Sequence, residues 1–206
     1  MANSAPNEAK EKILTAADRL FMERGYKAVT LRDVAQAVGI KHASLYHHVP
    51  GGKEQLFVEV TERNMRAHQA GLTIAIAEAG TDVRVALVAV ATWLLTHPPI
   101  DLMRMSMSDL SEISPQHALR LAQLIQTAVL EPVSSLLQAG CKRGTIVPVD
   151  CGVIAGAVIT MLEGLHAVPD IAFNQPGTAW FGKTRLDMAH YLIGALMNGL
   201  LSRGPE

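Results

Sequence analysis

The stretch KHASLYHHVPGGKEQLF, residues 41 to 57, concentrates side chains able to do chemistry: Tyr46, the adjacent His47 and His48, and a lysine near either end. Such a group could hold a metal ion, move protons or touch an anion. Adjacent positions on a helix lie about 100° apart, however, so the two imidazoles point different ways. Elsewhere, His97 and Asp101 stand four apart, but Pro98 and Pro99 break the helix that would align them. His117, His166 and His190 fall on separate predicted elements. Cys141 and Cys151 make neither a CxxC motif nor a disulfide framework, and a reduced setting is the plain reading. HExxH, GxSxG, P-loop and dinucleotide fingerprints are all missing. No catalytic residue, no metal and no cofactor is therefore assigned.

The elements that position these groups are expected to be helices. Of 206 residues, 49% are hydrophobic and only 4% aromatic, so the core must be aliphatic. Ala-rich segments with little β-type alternation favour an all-α chain. Ile13, Leu14, Ala17, Leu20 and Phe21 form a helical stripe that stops at Gly25. Thr30 is placed as an N-cap with Asp33 three residues on, opening a second helix that ends at Gly39. A third, short helix spans about Ala43 to His48 and is broken by Pro50, Gly51 and Gly52. Lys53 opens a long fourth helix that ends near Gly80. The next, about 82 to 96, is apolar nearly all round and should be central. A shorter helix follows around Leu102 to Leu110. A longer one from Pro115 to Gly140 should kink at Pro132. Asp150 caps a helix to about Val168, PDIAFNQPG is a loop, and the last helix runs to about Leu201. The most apolar stretch, Val85 to Leu95, is too short to cross a bilayer. The N-terminus lacks the apolar run of a signal peptide, so a soluble, cytoplasmic protein is expected, with no membrane partner.

Helix, Gly-centred turn, short helix over Thr30 to His48 is the sequence form of a helix-turn-helix. No acidic residue occurs between Val34 and Glu54, while Lys41, Lys53 and three histidines do. With a net charge of -1, binding to DNA must come from such a local patch.

Residues 10 to 57 resemble the DNA-binding domain of the tetracycline-repressor (TetR) family, through ILTAADRLFMERGYKAVTLRDVAQAVGI and ASLYHHVPGGKEQLF. Phe21, Gly25, Tyr26, Thr30, Val34, Ala35, Gly39, Leu45, Tyr46, His48, Lys53 and Leu56 stand at the family's motif positions. Val49 departs from the usual Phe, and the Pro-Gly-Gly loop is one residue longer than the commonest form. The resemblance implies that Lys41, His42, Ala43 and Ser44 begin a recognition helix and reach base edges, Ala43 only through a thymine methyl. It implies that Tyr46 and His47 bond the DNA backbone. Thr30 and Lys53, at helix starts, are expected near phosphate, with a cap alone or a solvated lysine as the plainer alternatives. His48 is expected to turn inward as a structural histidine.

The resemblance further implies a C-terminal domain that binds a small ligand and dimerises. Gly152, Gly156, Thr160 and Gly164 recur every fourth residue and would admit a close helix. Leu186, Ala189, Ile193, Met197 and Leu200 form an apolar stripe on the last helix. Both are assigned to a four-helix dimer interface, with packing inside the monomer as the alternative. Adaptable methionines in MRMSMSDL suit an apolar ligand. The ligand candidates are Met65, Trp93, Met103, Met107, His117, Met161, Glu163 and His166, with ordinary core filling as the alternative for any one methionine.

The expected protein is all-α, with an N-terminal three-helix helix-turn-helix DNA-binding domain (8–52) and a C-terminal helical effector-binding and dimerisation domain (53–203). It reads as a homodimeric, ligand-responsive transcriptional regulator, a repressor released from a palindromic operator by a small apolar effector. The competing reading is an all-helical ligand-binding protein or enzyme in which the helix-turn-helix is only scaffold.

Overall fold

Runs of Ala, Leu and Val at helical spacing leave little scope for other elements. The computed structural model, which describes residues 4–200 with side chains from Glu8 onward, contains helices and no extended strand among them. Its residues divide into two compact units. One runs to Met65 and takes back Leu102–Leu124; the other holds Arg66–Asp101 and the residues from Ile125 on.

In the first unit, α1 (Ser4–Ala28), α2 (Leu31–Val38), α3 (His42–His48) and the first part of α4 (Gly52–Glu78) surround one core. Helix α1 does not simply stop at Gly25. It bends there, at φ 76°, in a left-handed conformation that costs glycine nothing, and one more turn follows to Ala28. Ile13, Leu20, Phe21, Val34, Leu45, Leu56 and Val60 are buried together, with Ile113 and Leu121 from the returning segment. Three aromatics, Phe21, Tyr26 and Phe57, meet here. Phe57 meets Phe21 edge-on at 5.2 Å and Tyr26 at 4.9 Å. The returning segment comprises α6 (Leu102–Arg104), a π-helical turn Met105–Asp109, a 3₁₀ turn Leu110–Glu112 and α7 (Pro115–Ile125).

The second unit is built around α5 (Val83–Thr96), capped by Asp82 Oδ1, which accepts from the Arg84 and Val85 N–H groups. Its apolar surface is covered by α8 (Glu131–Lys142), α9 (Cys151–His166) and α11 (Arg185–Leu200), so the expected central place of this helix holds. The expected irregularity at Pro132 takes the form of a widened π turn, Gln126–Leu130, one step ahead of it. Proline offers no N–H to the carbonyl four residues back, and the wider turn accommodates that loss. The stretch expected as a loop after Val168 contains a single helical turn, α10 (Ile171–Asn174). The expected end of the last helix, Leu201, and the expected domain end at residue 203 lie outside the described residues. Among the described residues no helix is long and apolar enough to cross a membrane.

Candidate functional site

Local chemistry shapes the helix-turn-helix before tertiary packing does. Thr30 Oγ1 accepts from Asp33 N–H at 3.2 Å, and Thr30 N–H donates to Asp33 Oδ2 at 2.8 Å, a reciprocal box with Asp in place of Glu. These bonds hold the Asp33 carboxyl below its ordinary pKa. At the other end, Gly39 (φ 77°, ψ 27°) donates to Gln36 O and Ile40 N–H donates to Ala35 O at 3.0 Å. This is a Schellman close, and its left-handed residue is why glycine stands there. Leu31, Val34 and Ala35 anchor α2 inward.

Helix α3 is then seated by Leu45 and Val49, both fully buried. Lys41, His42, Ala43 and His47 are exposed, Ser44 is half-buried, and Tyr46 keeps 46% of its surface in solvent. His42 and Tyr46, one turn apart, meet edge to face at 5.3 Å. The expected base-reading and backbone-contacting residues thus share one outward face. His48 is half-buried on a shallow groove lined by Ile13, Val38, Ile40 and Ser44. Its carbonyl accepts from Lys10 Nζ at 2.8 Å, and Lys10 also pairs with Glu59 at 2.5 Å. A cation at the carbonyl end of a helix is favourable, so Lys10 ties α3 to α1 and α4. Sequence reasoning passed over Lys10, because nothing local marks a lysine that answers a carbonyl 38 residues away.

Lys53 differs from its expected role. Its ammonium donates to Tyr26 O at 3.0 Å and lies 4.1 Å over the Tyr26 ring. Burial pushes its pKa down. The side chain is engaged within its own unit and is not presented as an open phosphate contact.

The expected ligand residues divide between the two units. Met65, Met103, Met107 and His117 belong to the first unit. Met103 and Met107 are 63% and 75% exposed, while Met105 between them is buried, so the π turn shows solvent the two expected to line a pocket. His117 Nδ1 lies 2.6 Å from Glu54 Oε1, and the same oxygen accepts Ser114 N–H at 2.9 Å. Bonds from Ser114 and then His117 pull the Glu54 carboxyl down to about 2. His117 is thereby part of the scaffold around the helix-turn-helix. Asp109 Oδ1 accepts Tyr26 N–H at 3.0 Å, and Arg104 donates to Met22 O at 2.7 Å, which fastens the same segment to the bend in α1.

Trp93, Glu163 and His166 do come together in the second unit, at the exit of α5, while Met161 is half-buried on α9. His166 Nε2–H donates to Leu94 O at 3.0 Å, and Glu163 Oε2 accepts the N–H groups of Ile100 and Asp101, each at 3.0 Å. Asp101 adopts φ 53°, a left-handed turn that short polar side chains tolerate. Two residues not anticipated join them. His97 stacks on Trp93 with ring centres 3.5 Å apart, and its Nδ1–H donates to Trp93 O at 2.8 Å. His68 on α4 is only 7% exposed. Burial first, then the nearby His97, lower its pKa to about 4, against a bond to the Pro98 backbone that raises it. A stripe Met65–His68–Leu72 at helical spacing was the available signal for its burial. His68 Nδ1, Trp93 Nε1 and Glu163 Oε1 are buried without a hydrogen-bond partner. Burial chiefly raises the Glu163 pKa. Leaving such atoms unpaired costs about 1–3 kcal/mol each.

Of the expected dimer stripes, one is exposed and one is not. Gly152, Thr160 and Gly164 are exposed and Gly156 half-buried, while α9 buries Ala155, Val158, Ile159 and Leu162 instead. On α11, Ala189, Ile193, Met197 and Leu200 are buried within their own unit, where α11 packs on α5 and α9, and Leu186 is half-buried. The apolar α11 stripe is therefore monomer core, and the outward face carries Tyr191 at 77% exposure. Among the described residues, no group of three His, Cys, Asp or Glu side chains is placed to hold a metal ion.

Comparison with known proteins agrees with this geometry. Residues 13–60 match the family of bacterial regulatory proteins, tetR family. The chain is 44% identical over 57 residues to the HTH-type transcriptional repressor KstR2 of Mycolicibacterium smegmatis, covering 28% of this chain and 27% of that protein. The match thus spans about a quarter of the curated relative's length. Over nearly the whole chain, the fold resembles a bacterial regulatory protein in the tetR family from Rhodococcus RHA1: TM-score 0.72, 19% identity, 95% of this chain and 98% of that one. It also resembles AibR, solved in complex with isovaleryl coenzyme A and operator DNA: TM-score 0.69, 19% identity, 91% and 97% covered. The helix-turn-helix thus matches the tetR family in sequence over residues 13–60, and the chain as a whole resembles a tetR-family regulatory protein in fold.

Proposed function

We propose that this protein is a DNA-binding transcriptional repressor whose affinity for its operator is set by a small molecule bound in the second unit. The observation that carries this reading is the outward face of α3: Lys41, His42, Ala43, Tyr46 and His47 exposed, Leu45 and Val49 buried, and no acid between Val34 and Glu54. Lys41, His42, Ala43 and Ser44 meet base edges in the major groove, and Tyr46, His47 and the capped start of α2 at Thr30 meet phosphates. Lys53 contributes by holding Tyr26, with the start of α4 toward the backbone. The functional division is a DNA-binding domain over residues 8–52 and an effector and dimerisation domain over 53–203. Two copies place their recognition helices in successive grooves of a palindromic site, about 34–36 Å apart. The exposed small-residue face of α9 supports close helix contact between copies. The effector is small and largely apolar, and it shifts the equilibrium by its differential affinity for the two conformations. KstR2 is named a repressor, and AibR was solved with both a ligand and operator DNA, in keeping with this reading.

The experiment is fluorescence anisotropy with duplexes from the DNA flanking the protein's own gene, against random duplex. Tyr46→Phe is expected to weaken binding to both duplexes alike. Lys41→Ala is expected to lose discrimination between them, as the loss of a base-edge contact does. A folded protein that binds neither duplex at low salt would leave only the ligand-binding reading.

A further inference from the structure

The exit of α5 gathers groups from three helices. His97 and His166 donate ring N–H groups to Trp93 O and Leu94 O, and His68 bonds the Pro98 backbone. Glu163 takes the N–H groups of Ile100 and Asp101 on one oxygen only. The indole of Trp93 lies against α4 at Gly71, one turn beyond His68. All five side chains therefore converge on the backbone from Trp93 to Asp101.

The inventory is lopsided. Each histidine that gives one N–H to a backbone carbonyl presents its other ring nitrogen as an acceptor. The acceptors His68 Nδ1 and Glu163 Oε1 and the donor Trp93 Nε1–H belong to this corner. All three atoms are buried and unpartnered. The carbonyl end of α5 at Thr96 lies at the same corner and adds partial negative charge, while that of α9 is answered by Arg185, which donates to Leu165 O at 3.0 Å and Val168 O at 2.6 Å. A corner with unpaired acceptors, one of them a carboxylate oxygen, and a negative helix end suits a ligand rich in N–H groups and carrying positive charge.

We propose that this corner binds the ammonium head of a small organic amine, with Glu163 as its counter-charge, His68 Nδ1 as a further acceptor and Trp93 Nε1–H as the donor that orients the remainder. The inference rests on the proposed effector control and narrows the effector from an apolar molecule to an amine on an apolar body. His68, which the sequence did not nominate, becomes a ligand-contacting residue.

Three probes of equal chain length separate the head groups: hexylamine, 1-hexanol and hexanoate, each titrated into the full-length protein by thermal shift and calorimetry. Hexylamine is expected to bind at least about tenfold more tightly than hexanol, with hexanoate weakest. Glu163→Gln keeps an oxygen for the Ile100 and Asp101 N–H groups and removes the charge. It is expected to fold normally and lose that about tenfold preference. Equal response to all three probes, no response to any, or an undiminished preference in Glu163→Gln would overturn the site. Anisotropy on the operator duplex with hexylamine present separates the two ideas. Amine preference without DNA release supports the site and counts against effector control. Absence of DNA binding counts against the repressor reading and leaves the head-group ranking to decide the site alone.

Discussion

Asp109 in the first unit and Glu163 in the second are both carboxylates held largely away from solvent, and their oxygens are answered differently. Asp109 is paired on both: Tyr26 N–H on one, and the Arg104 guanidinium 3.5 Å from the other. Glu163 spends one oxygen on two backbone N–H groups and leaves the other unpaired. The same contrast runs through each unit. Around the helix-turn-helix, Lys10, Lys53, Glu54 and His117 all end on partners within the unit. At the exit of α5, three buried polar atoms do not. A unit that must present a fixed face to a duplex of constant geometry gains from internal closure. Under the proposed function, the second unit keeps part of its hydrogen-bonding capacity for a ligand outside the chain.

The sharpest way to break this comparison is to remove each carboxylate in turn. Asp109→Ala strands Tyr26 N–H and one side of Arg104, and is expected to destabilise by about 3 kcal/mol in urea titration. Glu163→Gln is expected to cost less than about 1 kcal/mol, since the oxygen it sacrifices has no partner to lose. Equal costs would erase the distinction.

Two glycines probe packing in the second unit. A Cβ on Gly71 would fall 1.9 Å from the Trp93 ring, so Gly71→Ala is expected to lower stability by about 1–3 kcal/mol. A Cβ on Gly156 meets nothing within 4 Å, and Gly156→Ala is expected to leave the fold unharmed or help it by up to about 1 kcal/mol. Sedimentation of Gly156→Ala then reports on the interface alone: a shift toward monomer supports α9 as the contact between copies, and an unchanged state removes it.

At the cap of α2, Thr30→Ala is expected to cost about 1 kcal/mol and to fray the first turn ahead of the recognition helix. Thermal denaturation measures it, and Thr30→Ser is expected to restore most of the loss.

The smallest effects are pH slopes, which differ in window. Glu54 falls from an ordinary 4.5 to about 2 on folding, so the stability it contributes is complete above pH 4.5 and is lost as pH falls toward 2. His68 falls from 6.5 to about 4, so the folded state favours its neutral form, and stability is lost as pH falls from 6.5 toward 4. Urea midpoints across pH should show both limbs, with Glu54→Gln flattening the lower and His68→Gln the upper. A lower limb unchanged in Glu54→Gln, or an upper limb unchanged in His68→Gln, would contradict the assignment.

The helix-turn-helix was legible because its rules are local. A cap and its box lie three residues apart, the left-handed residue must be glycine, and Leu45 sits among exposed neighbours on one short helix. The π turns were not legible, because a single shifted hydrogen bond leaves no periodic trace; their effect was to show Met103 and Met107 to solvent. The α11 stripe was visible as apolar, but periodicity states only that a face is buried and not by which chain.

From the sequence alone came the helices, the capped and glycine-closed turn and the outward face of α3, all set by interactions within a few residues. Only the tertiary structure decided that Lys53 holds Tyr26, that His117 serves Glu54, that Ala189, Ile193 and Met197 belong to the monomer, and that His68, His97, Glu163 and His166 share a corner. Two of the hydrogen bonds, Lys53 to Tyr26 and His166 to Leu94, join positions 27 and 72 residues apart, where partners are chosen by packing and the cost of burying a polar group rather than by any local preference.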